Sequence, residues 1–167
     1  MARDTWTGSR VEWEHRPTAR GGRKVVRAGV AEREEALAKV PLFEGLSRRH
    51  LRRLAKASGV TERREGATVV KEGAAGSVFF VVLDGRAKVV RRGRTVARLK
   101  RGDFFGEMSL LDGEPRGASV VTETPARFLT LSGKSLSDML ARDPLLATRI
   151  MKAMAARLRK LEKPPVG

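Results

Sequence analysis

Residues 102–119 read GDFFGEMSLLDGEPRGAS. The chain is rich in lysine and arginine, yet this stretch admits one arginine, Arg116, nine positions after Glu107. Small and apolar residues fill most of the space between. Gly106 lets backbone approach a ligand closely. EMSLL can form one helical turn from Glu107, whose unsatisfied N–H groups attract an anion. Arg116 adds a permanent charge on a planar donor fork that suits phosphate. Glu107 repels phosphate but accepts hydrogen bonds from sugar hydroxyls. One acid, one base and the N–H groups between them fit a sugar-phosphate. A surface hairpin in which Glu107 and Arg116 merely pair fits the same spacing.

On either side the chain reads as strands. ATVVKEG, SVFFVVLDG, RAKVVRRG and RTVARLKRG are β-branched runs, each closed by glycine, and ASVVTET and ARFLTLS follow the quoted stretch. Gly73, Gly76, Gly85, Gly93 and Gly102 punctuate them. Short strands at this spacing predict an antiparallel sandwich or barrel of about eight strands.

Both flanks read as helical. Ala31–Lys39 carries its acids early and Lys39 at its end, and Pro41 stops it. SRRHLRRLAKAS is a second helix, with Ser47 as N-cap and Leu51, Leu54 and Ala55 on one face. GKSLSDMLARDP is a third, ending near Pro144. LLATRIMKAMAARLRKLE then runs to Glu162, with Leu146, Ile150, Met154, Leu158 and Leu161 as an apolar stripe. Residues 1–30 show no sustained period and are expected to be a flexible basic arm holding Trp6 and Trp13. The expected domain spans residues 31–163, and residues 164–167 form a tail.

Composition sets limits. The chain has 167 residues, 41% hydrophobic, with no tyrosine and few aromatics, which predicts one domain with an aliphatic core. It has no cysteine, so disulfides and thiolate metal sites are excluded. His15 and His50 lie far apart and read as ordinary histidines, His50 on a helix surface. No metal is expected. There is no secretory h-region and no run of the roughly 18 apolar residues a span requires, so a cytoplasmic protein is expected. The net charge is +16, of which residues 1–40 contribute only nine cations against six acids. The folded part is therefore basic, a property that favours anionic partners and also serves solubility.

The quoted stretch closely resembles the phosphate-binding cassette of cyclic nucleotide-binding domains. That module is shared by catabolite-activator-type regulators, cyclic-nucleotide-dependent kinases and gated channels. The matching positions are Phe105, Gly106, Glu107, Met108, Ser109 and Leu110, then Arg116, Gly117 and Ala118. VPLFEGLS is similar to the family's entry segment, and the glycines at 66, 73, 76, 85 and 102 fall at its β-roll turns. The resemblance covers roughly residues 38–162. It implies an α+β fold: an antiparallel eight-stranded β-roll flanked by N-terminal helices and a C-terminal helix pair. It also implies that Glu107 binds the ribose 2′-hydroxyl and Arg116 the cyclic phosphate. Backbone around Gly106–Met108 and Gly117–Ala118 would complete the cradle, with Ser119 at its margin. The position after the arginine often carries a hydroxyl in the family. Gly117 offers only backbone, which leans toward cyclic AMP over cyclic GMP.

The expected protein is thus a cyclic nucleotide sensor and not an enzyme. In the family the C-terminal helix moves with ligand, and Leu146, Ile150, Met151 and Met154 are candidates to cover the base. No helix-turn-helix follows, so output is expected through a protein partner, a homodimer built on that helix, or the arm. Two other readings compete. One is an interaction protein that keeps the fold without binding nucleotide. The other is a nucleic-acid-binding protein working through charge, for which the sequence offers no stacking platform or groove-reading motif.

Overall fold

The computed structural model describes residues 28–162. Most of the expected arm, with Trp6, Trp13 and His15, lies outside the described residues, as does the tail. Ala28 is already buried, and Val30 packs against the core.

Eight strands form, the expected number, with β1 and β6 lying outside the runs named above: β1 (Gly59–Arg63), β2 (Thr68–Val70), β3 (Val78–Asp84), β4 (Ala87–Arg91), β5 (Arg94–Leu99), β6 (Phe104–Phe105), β7 (Ser119–Thr122) and β8 (Ala126–Ser132). They make two four-stranded antiparallel sheets, ordered β1-β8-β3-β6 and β2-β7-β4-β5. β3 reads VFFVVL without polar interruption because both of its faces are buried. Phe79, Val81 and Leu83 face a core shared with the helices, while Phe80 and Val82 face the space between the sheets. β8 divides in the same way, with Leu129 and Leu131 on the helical side and Ala126 and Phe128 inside.

The core shared with the helices is mostly aliphatic, as expected, whereas the space between the sheets is rich in rings. Phe80 stacks on Phe105 at 4.8 Å between ring centroids, and Phe128 meets both edge-on at 6.3 and 5.8 Å. The aromatics are few, but these are concentrated where large rings fill the gap between two sheets.

α1 spans Val30–Ala38, and α2 spans Arg48–Ala57. Ser47 caps α2 by accepting the His50 N–H, and Leu51, Leu54 and Ala55 are buried, all as the spacing predicts. Pro41 does more than stop α1: it opens a 3-10 turn, Pro41–Phe43, that buries Leu42 and Phe43. The cassette helix α3 spans Glu107–Asp112, followed by α4 (Gly133–Arg142) and α5 (Pro144–Glu162). α5 packs on the 3-10 turn, with Leu146 and Ile150 buried in the same core as Leu42 and Phe43. Met151 is exposed, and Met154 is half-buried against that core. Leu146 and Ile150 are thus core residues in this arrangement.

His50 is not a surface histidine. Its side chain is 12% exposed and its Nε2 lies 2.6 Å from Asp143 Oδ2. Asp143 also accepts the Leu146 N–H through Oδ1 at 3.1 Å, capping α5 ahead of Pro144. The pair ties α2 to the α4–α5 corner. Among the described residues no helix is long and apolar enough to cross a membrane.

Candidate functional site

Gly106 joins β6 to α3 with φ at 87°, a left-handed conformation that favours glycine. A Cβ there would stand 2.5 Å from the Val78 carbonyl oxygen and 2.8 Å from Arg116 Nη1. Conformation and space both require glycine. The tight turn starts α3 directly beneath the Arg116 side chain.

Arg116 is held by its backbone and by its fork. Its N–H donates to the Ala74 carbonyl at 2.9 Å, and its own carbonyl accepts the Gly73 N–H at 2.7 Å. The loop after α3 is thereby pinned to the turn between β2 and β3. The guanidinium donates from Nη2 to the Val78 carbonyl at 2.9 Å and from Nη1 to the Gly106 carbonyl at 3.3 Å. Gly76 makes room beside it, since a Cβ there would stand 3.2 Å from Nη2. These contacts leave further N–H groups of the five-donor fork for an anion.

Arg116 is 7% exposed and Glu107 is 8% exposed. Burial pushes the Arg116 pKa down, and the negative charge of Glu107 pushes back up. Arginine starts so high that the group stays charged. Burying a charge is costly unless it is paired and hydrogen-bonded. The site therefore holds one cation and one anion at the mouth of a short helix, both largely withdrawn from water.

The other predicted positions divide. Ser109 is buried on α3, whereas the Met108 side chain is exposed. The Phe105 ring belongs to the inner core, and its backbone pairs with Phe80. Gly117 faces open space, with nothing within 4 Å of where a Cβ would sit. Ala118 is half-buried. Ser119 opens β7, and its Oγ accepts the Glu72 N–H at 2.8 Å, so that hydroxyl holds the neighbouring turn. Two contributors escaped the sequence reading: the space at Gly76 and the Val78 carbonyl. The run GAAGS at 73–77 was the available signal, because five small residues beside a strand leave space for a large side chain. Among the described residues no group of three or more His, Cys, Asp or Glu could hold a metal ion.

The family model described as "Cyclic nucleotide-binding domain" matches residues 60–143. The chain belongs to that family. It is similar to a cGMP-dependent protein kinase of Toxoplasma gondii, 40% identical over 93 residues, which is 56% of this chain and 9% of the kinase. It is similar to a cAMP-dependent protein kinase regulatory subunit of Yarrowia lipolytica, 34% identical over 124 residues, which is 71% of this chain and 33% of the subunit. The chain thus spans a third or less of either relative. Among solved structures it resembles a cyclic nucleotide-binding domain from Methylobacillus flagellatus, with TM-score 0.66 and 30% identity over 78% of this chain and 79% of that one. The eight-stranded roll with its flanking helices is the fold the sequence predicted.

Proposed function

We propose that this protein binds cyclic AMP in preference to cyclic GMP and acts as a sensor rather than an enzyme. Arg116 takes the cyclic phosphate, and Glu107 accepts the ribose 2′-hydroxyl. The observation that carries this reading is the buried Arg116 fork, held by the carbonyls of Val78 and Gly106 beside the buried Glu107. A simple surface pair would leave both groups in water, where pairing contributes little. Two withdrawn charges fit a ligand carrying one negative phosphate and one free ribose hydroxyl. Gly117 adds no hydroxyl for phosphate or guanine, which supports the preference for adenine. The relatives named above include a cAMP-dependent and a cGMP-dependent protein, so both nucleotides belong in the test.

Ligand shifts the balance between positions of α5 by its differential affinity for them. Leu145 and Met151 stand exposed on that helix and offer a surface to a protein partner or a second copy. Titration calorimetry with each nucleotide tests the reading. Saturable binding with cyclic AMP tighter than cyclic GMP is expected. No heat with either would leave the fold without its ligand.

A further inference from the structure

β5 is the edge strand of its sheet, and β4 and β5 form a hairpin there. From Arg86 to Arg101 the chain places eight cations and no carboxylate. Every residue from Arg91 to Arg98 is exposed. Edge strands often carry charge to prevent edge-to-edge pairing, and one or two lysines serve that end. Two features of this hairpin go further.

The first is its register. Lys88 lies directly opposite Arg98, and Arg91 directly opposite Arg94. Like charges in that relation destabilise a sheet. Arg98 is relieved by Glu123 at 3.2 Å, but among the described residues Arg91 and Arg94 have no ion-pair partner. The second is the tip. Arg92 has φ at 50° and Gly93 at 75°, the paired positive angles of a primed hairpin turn. Asn-Gly fills such a turn most easily, yet the first position here is arginine. Arg92 is the only described non-glycine residue with positive φ. Its N–H donates to the Glu72 carboxylate at 2.9 Å, which fixes the backbone of the tip. The hairpin therefore accepts a repulsive pair and a strained turn residue to hold three arginines at one point.

We propose that this hairpin docks on the phosphate backbone of a nucleic-acid duplex. Arginine outnumbers lysine six to two between residues 86 and 101, and its fork matches phosphate oxygens two at a time. A two-stranded ribbon is narrow enough to enter a groove. The same stretch has no aromatic residue, and Val96 is its one exposed large apolar side chain. It thus lacks the buried anchors a protein interface is built on and the apolar wedge a lipid surface takes. Phosphate contacts position without reading sequence, so the binding is sequence-tolerant. Arg91, Arg92 and Arg94 are not cassette positions, although β4 pairs with β7 where Val90 lies opposite Ser119.

The test uses the full chain, a random-sequence DNA duplex and fluorescence anisotropy across a salt series. Arg91→Thr/Arg92→Asn/Arg94→Thr removes the tip charge while keeping strand- and turn-compatible residues. The variant should bind more weakly. Its plot of log affinity against log salt should flatten by about 2.7, from 0.9 per lost phosphate contact. Its melting temperature should rise, because repulsion and strain are removed together. The pair Arg91→Thr/Arg94→Thr, which leaves the turn intact, should show about two-thirds of the change in slope. Absence of duplex binding by the wild type, or an equal slope in the variants, would overturn the proposal. So would hairpin-dependent binding to phosphatidylserine vesicles without duplex binding, which would assign the surface to lipid. The cyclic AMP affinity of each variant, read in parallel, should stay at the wild-type value. A failure of nucleotide binding in all forms would refute the sensor reading and leave this test intact.

Discussion

Replacing Arg116 with alanine separates ligand binding from folding. The guanidinium donates to the Val78 carbonyl at 2.9 Å and to the Gly106 carbonyl at 3.3 Å. Truncation leaves both acceptors short of a donor, and each such bond contributes about 0.5–1.5 kcal/mol net. It also removes a cation whose burial is costly, as its lowered pKa shows. These effects oppose each other, and the backbone bonds of residue 116 to Gly73 and Ala74 survive the change. The variant should remain folded, with a stability loss on the order of 2–4 kcal/mol, because Glu107 also loses the buried cation beside it. Nucleotide affinity has no such offset. A charge-assisted contact to phosphate contributes about 1.5–3 kcal/mol, so affinity should fall roughly 10- to 150-fold. Titration calorimetry gives the affinity, and thermal unfolding without nucleotide gives the stability. A folded Arg116→Ala protein with wild-type affinity would refute the assignment of Arg116 to the phosphate.

Gly76→Ala should fold, because Gly76 needs no left-handed backbone, but its Cβ would stand 3.2 Å from Arg116 Nη2 and push the fork aside. Calorimetry should place its affinity between those of the wild type and Arg116→Ala. Gly85→Ala should be strongly destabilising, since φ is +83° and the new Cβ would fall 2.3 Å from the Pro125 carbonyl oxygen; a thermal melt should show a large drop. The Asp143 carboxyl is held below its usual pKa by the Leu146 N–H, then by the hydrogen bond and charge of His50 and the charge of Arg53. A depressed pKa adds stability above the unfolded value and loses it as pH falls through the folded one. Denaturation should therefore show wild type more stable than Asp143→Asn at neutral pH, with the gap closing below about pH 4.

Much of this fold was legible because its punctuation is local. Glycine ended the strand runs, Ser47 capped α2, and Leu51, Leu54 and Ala55 marked the buried face. Each signal depends on residues a few positions apart. The cassette was legible for the same reason, since Gly106, Glu107 and Arg116 lie within one short segment. What the sequence hid was long-range. His50 meets Asp143 across the fold, 93 positions away, and no local pattern announces that pair. Gly76 and the Val78 carbonyl serve Arg116 from the start of β3 and the residues just before it, 38 positions upstream at Val78. An absent side chain and a backbone oxygen leave no residue-type signature. The phenylalanines gave a misleading average: composition counts rings, whereas the inner core depends on where Phe80, Phe105 and Phe128 converge.

The most direct measurement is a crystal structure of the protein with cyclic AMP. The account predicts the cyclic phosphate oxygens at hydrogen-bond distance, about 2.7–2.9 Å, from the Arg116 guanidinium, with the ribose 2′-hydroxyl donating to Glu107. A nucleotide bound elsewhere, or one whose phosphate lies away from Arg116, would contradict it.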